Sequence, residues 1–415
     1  MADFKLNVGD LAEDAVQAAV EAAFSSDFVY RSPRKADNKE VTDVLVLFKD
    51  VAIVIASKAQ AVGNDPQEVG DSLAWARKNI KKAGRQVSGA IRALRAGRAT
   101  HIVNPRHGRI RFDQSTYPFM HGLIVANHRS EAYNAVDEAP TLRNFDAPLH
   151  VLSFRDFANL ASLLDTPADL VCYLDARADV LIPTLNPQVH EEESAFFYYL
   201  GQHEKIELLR AKNHGEALTE EDIRPYSEAM RKLVGGKIDR EPGLVIDHII
   251  DRCHESDPSL QPVHVGTETL SPTDPVGKLR IATHLGAIPR IRRIALGKRY
   301  RRIAARAQNL NETTQFLSMS KKRSDCLLLM ASALPREKRE DRRTELYRLT
   351  CLAKEYCGVE RTMGIATEEA GRMGSSFDFA YIESEVVQHD PAGEIMTLGR
   401  DIFGDMSGRL ADDFY

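Results

Sequence analysis

The chain has 415 residues, enough for two or three domains at ~150 residues each. It is 43% hydrophobic and 28% charged, which excludes a disordered chain, a collagen and a mucin-like stalk. Lys plus Arg is 55 against 60 for Asp plus Glu, a net charge of -5, so a uniformly basic nucleic-acid coat is excluded while local basic surfaces are not. The opening segment MADFKLNVGDLAED has no apolar core of signal-peptide type. The longest apolar runs, VLVLF, VAIVIA and LLLMASAL, fall far short of the ~18 residues that span a bilayer. Five cysteines (Cys172, Cys253, Cys326, Cys351 and Cys357) show no paired metal spacing and read as reduced thiols in a cytoplasm.

Residues 10–24 are Ala-rich with helical period, and DFVYRSP follows as a short strand stopped by Pro33. VTDVLVLF and VAIVIASK are apolar, β-branched runs on either side of Lys49 and Asp50, which reads as a β-hairpin. A helix is expected to start at Asp65 as N-cap, with Pro66 at the first helical position and Glu68 three residues after the cap. It runs to about Ala96, with Gly84 as a candidate break. FMHGLIVAN (119–127) reads as a buried strand. The stretch 151–320 reads as mainly helical, and HEEE at 190–193 offers acids with which a solvated basic helix face could pair. From Ser324 onward, DCLLLMAS, a helix from about Glu337 to Cys357 stopped by Gly358, RTMGIATE and SFDFAYIE make a small β-α-β-β unit. The expected class is mixed α/β in three parts: 1–150, 151–320 and 321–415.

The segment that carries chemistry is TDVLVLFKDVAIVIASKAQ (42–60). Asp43 opens its first strand, Lys58 closes its second, and the hairpin folds both toward one end. A carboxylate beside an ammonium at a sheet end suits phosphodiester cleavage. The carboxylate can hold Mg²⁺ or Mn²⁺, and the amine can stabilise the charge that builds on phosphate.

With a helix before it and a helix and strand after it, this hairpin resembles the PD-(D/E)XK restriction-endonuclease-like superfamily, over about residues 8–130. The resemblance implies an αβββαβ core. It also implies Glu21 as the helix acid that completes a metal site with Asp43, Lys58 as the catalytic amine, and Gln60 as the polar residue that often follows that lysine. One position departs from the pattern: Ala56 stands where the second acidic ligand is expected. Either Glu21, Glu68 or Asp71 supplies the missing oxygen from a neighbouring helix, or the metal binds weakly, or the site is inactive. The whole chain also resembles a group of bacterial proteins with the same order of segments, a likeness that implies architecture and no activity.

Two acid-free stretches point to a polyanionic partner. Residues 72–112 include Lys78, Lys81, Lys82 and Arg85 on one helical face, followed by Gln86. Residues 275–311 include Arg292, Arg293, Arg299 and Arg302. Such segregation of cations in an overall acidic chain is expected to steer a nucleic-acid backbone. The expected function is a metal-dependent nuclease acting on DNA (RNA is the lesser substrate), with a role in defence against foreign DNA implied by the resemblance. A toxic activity of that kind implies gating by a regulatory protein or a homo-oligomer. The alternative is a catalytically inactive, nuclease-like binding or regulatory subunit.

Overall fold

A computed structural model describes residues 8–60, 72–127, 147–181, 192–213, 219–253, 260–265, 268–270, 274–319, 324–334, 336–368, 377–384 and 394–404. The protein is mixed α/β, as expected. It divides into two compact units, residues 1–234 and 235–415, in place of the three parts read from the sequence. The helical middle is not a unit of its own; its first half belongs to the first body and its second half to the second. Among the described residues no helix is long and apolar enough to cross a membrane.

The first unit opens with α1 (Val8–Phe24), β1 (Val29–Arg31), β2 (Arg34–Lys35), β3 (Val44–Phe48) and β4 (Val51–Ala59). Strands β3 and β4 form the expected hairpin. Phe48 pairs with Val51, and Lys49 takes a left-handed φ of 53° to close the two-residue turn. The next elements are α2 (Ser72–Arg95), β5 (Ala99–Asn104), β6 (Gly108–Ile110), β7 (Phe119–Asn127) and β8 (Leu149–Ser153). Helix α2 runs unbroken through Gly84, because Ala83, Gly84 and Val87 face inward, where a small residue packs well. The proposed start at Asp65, Pro66 and Glu68 lies outside the described residues. The unit ends with α3 (Phe154–Leu163), α4 (Pro167–Ala176), α5 (Glu192–Gly201), α6 (His203–Asn213) and α7 (Glu220–Val234). Ser153 and Thr166 cap α3 and α4 by accepting from the amides of Asp156 and Asp169.

The main sheet has the order β1-β3-β4-β7-β8. Pairing is antiparallel from β1 to β4 and parallel from β4 to β8. Alternation along the strands splits the side chains between two faces. Leu45, Val54, Ala56 and Ile124 pack against Ala76, Ile80, Val87 and Ile91 of α2, and Trp75 lies partly buried on the same cluster. Ile53, Ile55 and Val125 are buried on the other face, where α1 and α3 pack. Gly122 lets α2 approach closely: a Cβ there would lie 2.6 Å from Val87 Cγ1 and 2.7 Å from Leu149 Cδ1. Gly122→Ala is therefore expected to cost about 1–3 kcal/mol by overpacking, read as a lower urea midpoint for the first unit.

The second unit contains α8 (Leu244–Arg252), β9 (Leu260–Val265), β10 (Glu268–Leu270), α9 (Pro275–Gly286), α10 (Arg290–Leu310), β11 (Thr314–Met319), β12 (Asp325–Ser332), α11 (Arg339–Cys357), β13 (Arg361–Glu368), β14 (Phe377–Glu383) and α12 (Glu394–Phe403). The expected β-α-β-β run is present as β12-α11-β13-β14, and Gly358 stops α11 with φ 62°. It is the middle of a larger sheet of order β10-β9-β14-β13-β12-β11. Three of those strands come from sequence read as helical. The side chain of Asp378, at the start of β14, is fully buried and accepts from Arg339, Arg342 and Arg343 of α11. All five cysteines are free thiols.

Candidate functional site

The hairpin brings Asp43 and Lys58 together. Val44 pairs with Ile55, so Asp43 stands opposite Ala56 at the open end of the hairpin. The Asp43 carboxylate accepts from the Ser57 amide through Oδ2 at 2.7 Å. Lys58 Nζ lies 3.8 Å from the same oxygen and donates to the Ser57 carbonyl at 2.8 Å. Two backbone anchors hold the segment: Ser32 N donates to the Asp43 carbonyl at 2.9 Å, and Thr42 Oγ1 donates to the Ile55 carbonyl at 2.6 Å. Both charged side chains are 20% exposed, so the pair is reachable from solvent yet partly desolvated. Asp43 Oδ1 accepts no hydrogen bond among the described residues and is open to a cation or a water.

The other expected members of the site divide. Gln60 follows the end of β4, half-buried, with its amide donating to the Asn127 carbonyl at 2.9 Å. Glu21 sits in the last turn of α1. Its carboxylate accepts from Gln17 at 2.7 Å and from Ser26 at 3.4 Å, and α1 packs on the sheet face away from α2. Among the described residues Glu21 therefore has its hydrogen bonds within and just after α1, and none to Asp43 or Lys58. Ala56 is buried in the apolar cluster under α2, so its position offers no oxygen. Glu68 and Asp71 lie outside the described residues. Among the described residues no group of three or more His, Cys, Asp or Glu side chains could hold a metal ion.

Lys78, Lys81, Lys82, Arg85 and Gln86 are all exposed on the outer face of α2. Among the described residues the four cations have no ion pair. The second basic stretch is less uniform. Arg293 is buried, ion-paired with Asp247, and donates to the Ile288 carbonyl at 2.8 Å, which corrects its assignment to a nucleic-acid surface. Arg292 donates to Ser318 Oγ at 3.0 Å and to the Met319 carbonyl. The Arg299 guanidinium sits over the Phe316 ring, 5.4 Å from its centroid. Arg302 is exposed.

Comparisons with protein families, curated proteins and solved structures found no match. The chemistry of the chain is therefore read from its own side chains.

A buried polar chain in the first unit escaped the sequence analysis. Arg177 Nη1 lies 3.2 Å from His150 Nδ1, His150 Nε2 3.1 Å from His121 Nδ1, and His121 Nε2 2.9 Å from Asp175 Oδ1. Arginine can only donate, so His150 Nδ1 accepts, its Nε2–H donates to His121 Nδ1, and His121 Nε2–H donates to Asp175. Arg177 also donates to both oxygens of Glu192, at 2.9 Å each, and the Tyr173 hydroxyl donates to the same carboxylate. Glu192 is thus a buried partner of Arg177 and Tyr173. Burial pushes the His150 pKa well below its ordinary value, with Arg177 and then His121 adding to the effect. Every ring nitrogen in the chain is occupied, and it ends on a guanidinium that does not release its proton. The network therefore ties β7 and β8 to the helical layer and leaves no free base. The only signal in the sequence was a lone histidine inside each of two apolar strands.

Nearby, His203 Nδ1 lies 2.7 Å from Ser227 Oγ. Burial, then Arg231 and Arg210, lower its pKa from 6.5 to about 4. A histidine depressed in the fold leaves stability intact above its unfolded pKa and removes it as pH falls through the window down to the folded value. The first unit is expected to lose roughly 3 kcal/mol from this group across that window. Urea unfolding at neutral and acid pH checks this, with His203→Gln flattening the dependence.

Proposed function

We propose that the protein is a Mg²⁺- or Mn²⁺-dependent nuclease that hydrolyses phosphodiester bonds of DNA. The observation that carries this reading is the meeting of Asp43 and Lys58 at the open end of the hairpin. The order around it, α1, antiparallel β1-β3-β4, α2 and parallel β7, is the αβββαβ order of the PD-(D/E)XK nucleases. One carboxylate is a modest ligand set, and Mg²⁺ is commonly held by one or two carboxylates with water and substrate phosphate completing the shell. Asp43 fits that role through its open Oδ1. When bound, the ion supplies an acidified water and neutralises charge on the phosphate. The Ser57 amide keeps the carboxylate turned toward Lys58, and the Ser57 carbonyl keeps the amine in place. Lys58 then stabilises the phosphorane-like transition state as a point charge while water forms the new P–O bond and the ester oxygen leaves.

Lys78, Lys81, Lys82 and Arg85, which have no ion pair among the described residues, suit the approach of the polymer. Gly122 pairs with Val54 and lies under Val87. Parallel β4 and β7 require a crossover that returns the chain, which is the path of α2. Lys58 is four residues beyond Val54, about 13 Å along the strand. Lys78 is nine residues before Val87, about 13 Å along the helix in the same direction. Lys78 is therefore level with the pair, and the cationic face that begins there suits a phosphate backbone approaching it. A role against foreign DNA, with a regulatory partner or self-association as the gate, belongs to the same proposal.

Plasmid cleavage by the purified protein with Mn²⁺, and its loss in Asp43→Ala and Lys58→Ala, tests the reading. Ala56 favours a second one, a nucleic-acid-binding subunit without catalysis. Binding of DNA with no cutting in any divalent metal selects that reading instead.

A further inference from the structure

We propose that the second unit carries a nucleic-acid contact of its own, a row formed by Lys298, Arg302 and Arg306 on the outward edge of α10. The inference deepens the reading above by adding a foothold for the same class of polymer, and it stands on a separate set of observations.

Residues 275–311 contain no Asp or Glu, yet most cations of α10 have found partners elsewhere in the unit. Arg290 pairs with Asp247 at 2.5 Å, and Arg293 pairs with the same carboxylate. Arg292 is spent on Ser318 and Met319, Arg299 on the Phe316 ring, and Arg301 on Glu241 at 2.5 Å. Lys298, Arg302 and Arg306 differ. All three are exposed, and among the described residues none has an ion pair or a hydrogen bond. They follow one another at four-residue spacing, so they line one edge of the helix with about 6 Å of rise between neighbours.

Like charges at that spacing work against a helix, and an acid one turn away would ordinarily relieve them. Among the described residues that relief is absent, which leaves room for an external anion. The outward positions beside the row, Ala305, Gln308 and Asn309, are small or polar. A membrane-surface helix needs aromatic or large aliphatic groups flanking its cations, and this face offers only Leu310 at its end. A hydrophilic row with two guanidiniums fits a phosphate backbone, where each arginine can donate in a bidentate manner.

The full-length triple variant Lys298→Ala/Arg302→Ala/Arg306→Ala is the test. Anisotropy of a labelled DNA duplex, titrated at several salt concentrations in EDTA, reads binding without cleavage. The salt slope is expected to become shallower by about 2 to 3, with affinity at low salt reduced roughly tenfold or more. A Lys298→Arg/Arg302→Lys/Arg306→Lys variant is expected to keep the wild-type slope, which separates charge from fold. A triple alanine variant with wild-type slope and affinity overturns the proposal. So does one that keeps duplex binding and instead loses binding to phosphatidylserine vesicles. The hydrolase reading is judged separately: if no metal supports cleavage but the slope changes, that reading fails while this contact stands. If cleavage depends on Asp43 and the slope is unmoved, the reverse holds.

Discussion

Lys58→Ala is expected to lower the rate of Mn²⁺-dependent DNA cleavage by about 10²–10³, the usual cost of removing one charge-stabilising donor from a transition state. Asp43→Ala is expected to cost at least as much, because it removes the carboxylate oxygen available to the metal. Lys58→Arg does not restore the rate in this expectation. A planar guanidinium cannot take the place of an amine tethered 2.8 Å from the Ser57 carbonyl and 3.8 Å from Asp43. Neither alanine variant should unfold the protein. An ion pair with both side chains 20% exposed is screened by solvent and contributes no more than about 1 kcal/mol. Urea midpoints close to wild type, together with lost cleavage and retained DNA binding, are the combined result expected. Wild-type cleavage rates in Lys58→Ala would remove the amine from the chemistry and the hydrolase reading with it.

The largest stability effect is expected from Asp378→Ala in the second unit. Asp378 is fully buried, and so is Arg342, whose Nε donates to it at 2.6 Å. Arg339 and Arg343 add bonds at 2.9 and 3.2 Å. Removing the carboxylate leaves guanidiniums packed between α11 and β14 without their common acceptor. Breaking a buried pair from one side costs about 3–5 kcal/mol, and three cations share this acceptor, although Arg343 keeps Glu340 and Arg342 keeps Glu368 nearby. A double replacement, Arg342→Met with Asp378→Leu, removes a buried charge of each sign and is expected to cost less than the single change. Chemical denaturation of all three proteins decides it. A single variant as stable as wild type would show that water or neighbouring groups already carry these charges.

Elements with strong local signals were legible. The hairpin needed only two apolar runs and a two-residue break, and α11 needed only its left-handed Gly358 stop. Strands β8, β9 and β11 were missed for local reasons. LHVLS is five residues long, LQPVHV contains a proline, and TQFLSM is half polar. Each is made a strand by the neighbour it pairs with: β8 by β7 and β9 by β14, both well removed in sequence, and β11 by β12, the next strand along the chain. The candidate site shows the same division. Asp43 and Lys58 meet because a tight hairpin converts a fifteen-residue separation into adjacency, which spacing alone can foretell. Glu21 depended on which face α1 covers, and Arg293 on an acid 46 residues away in α8. Period and composition do not encode either relation.

Trp75, packed beside the α2-facing core, is the single tryptophan of the chain. Indole emission therefore reports on the first unit alone, while far-ultraviolet ellipticity sums over both. If the two units melt independently, the two signals will follow different denaturation curves. A duplex settling on the cationic face of α2 would also register in the intrinsic fluorescence, with no dye attached.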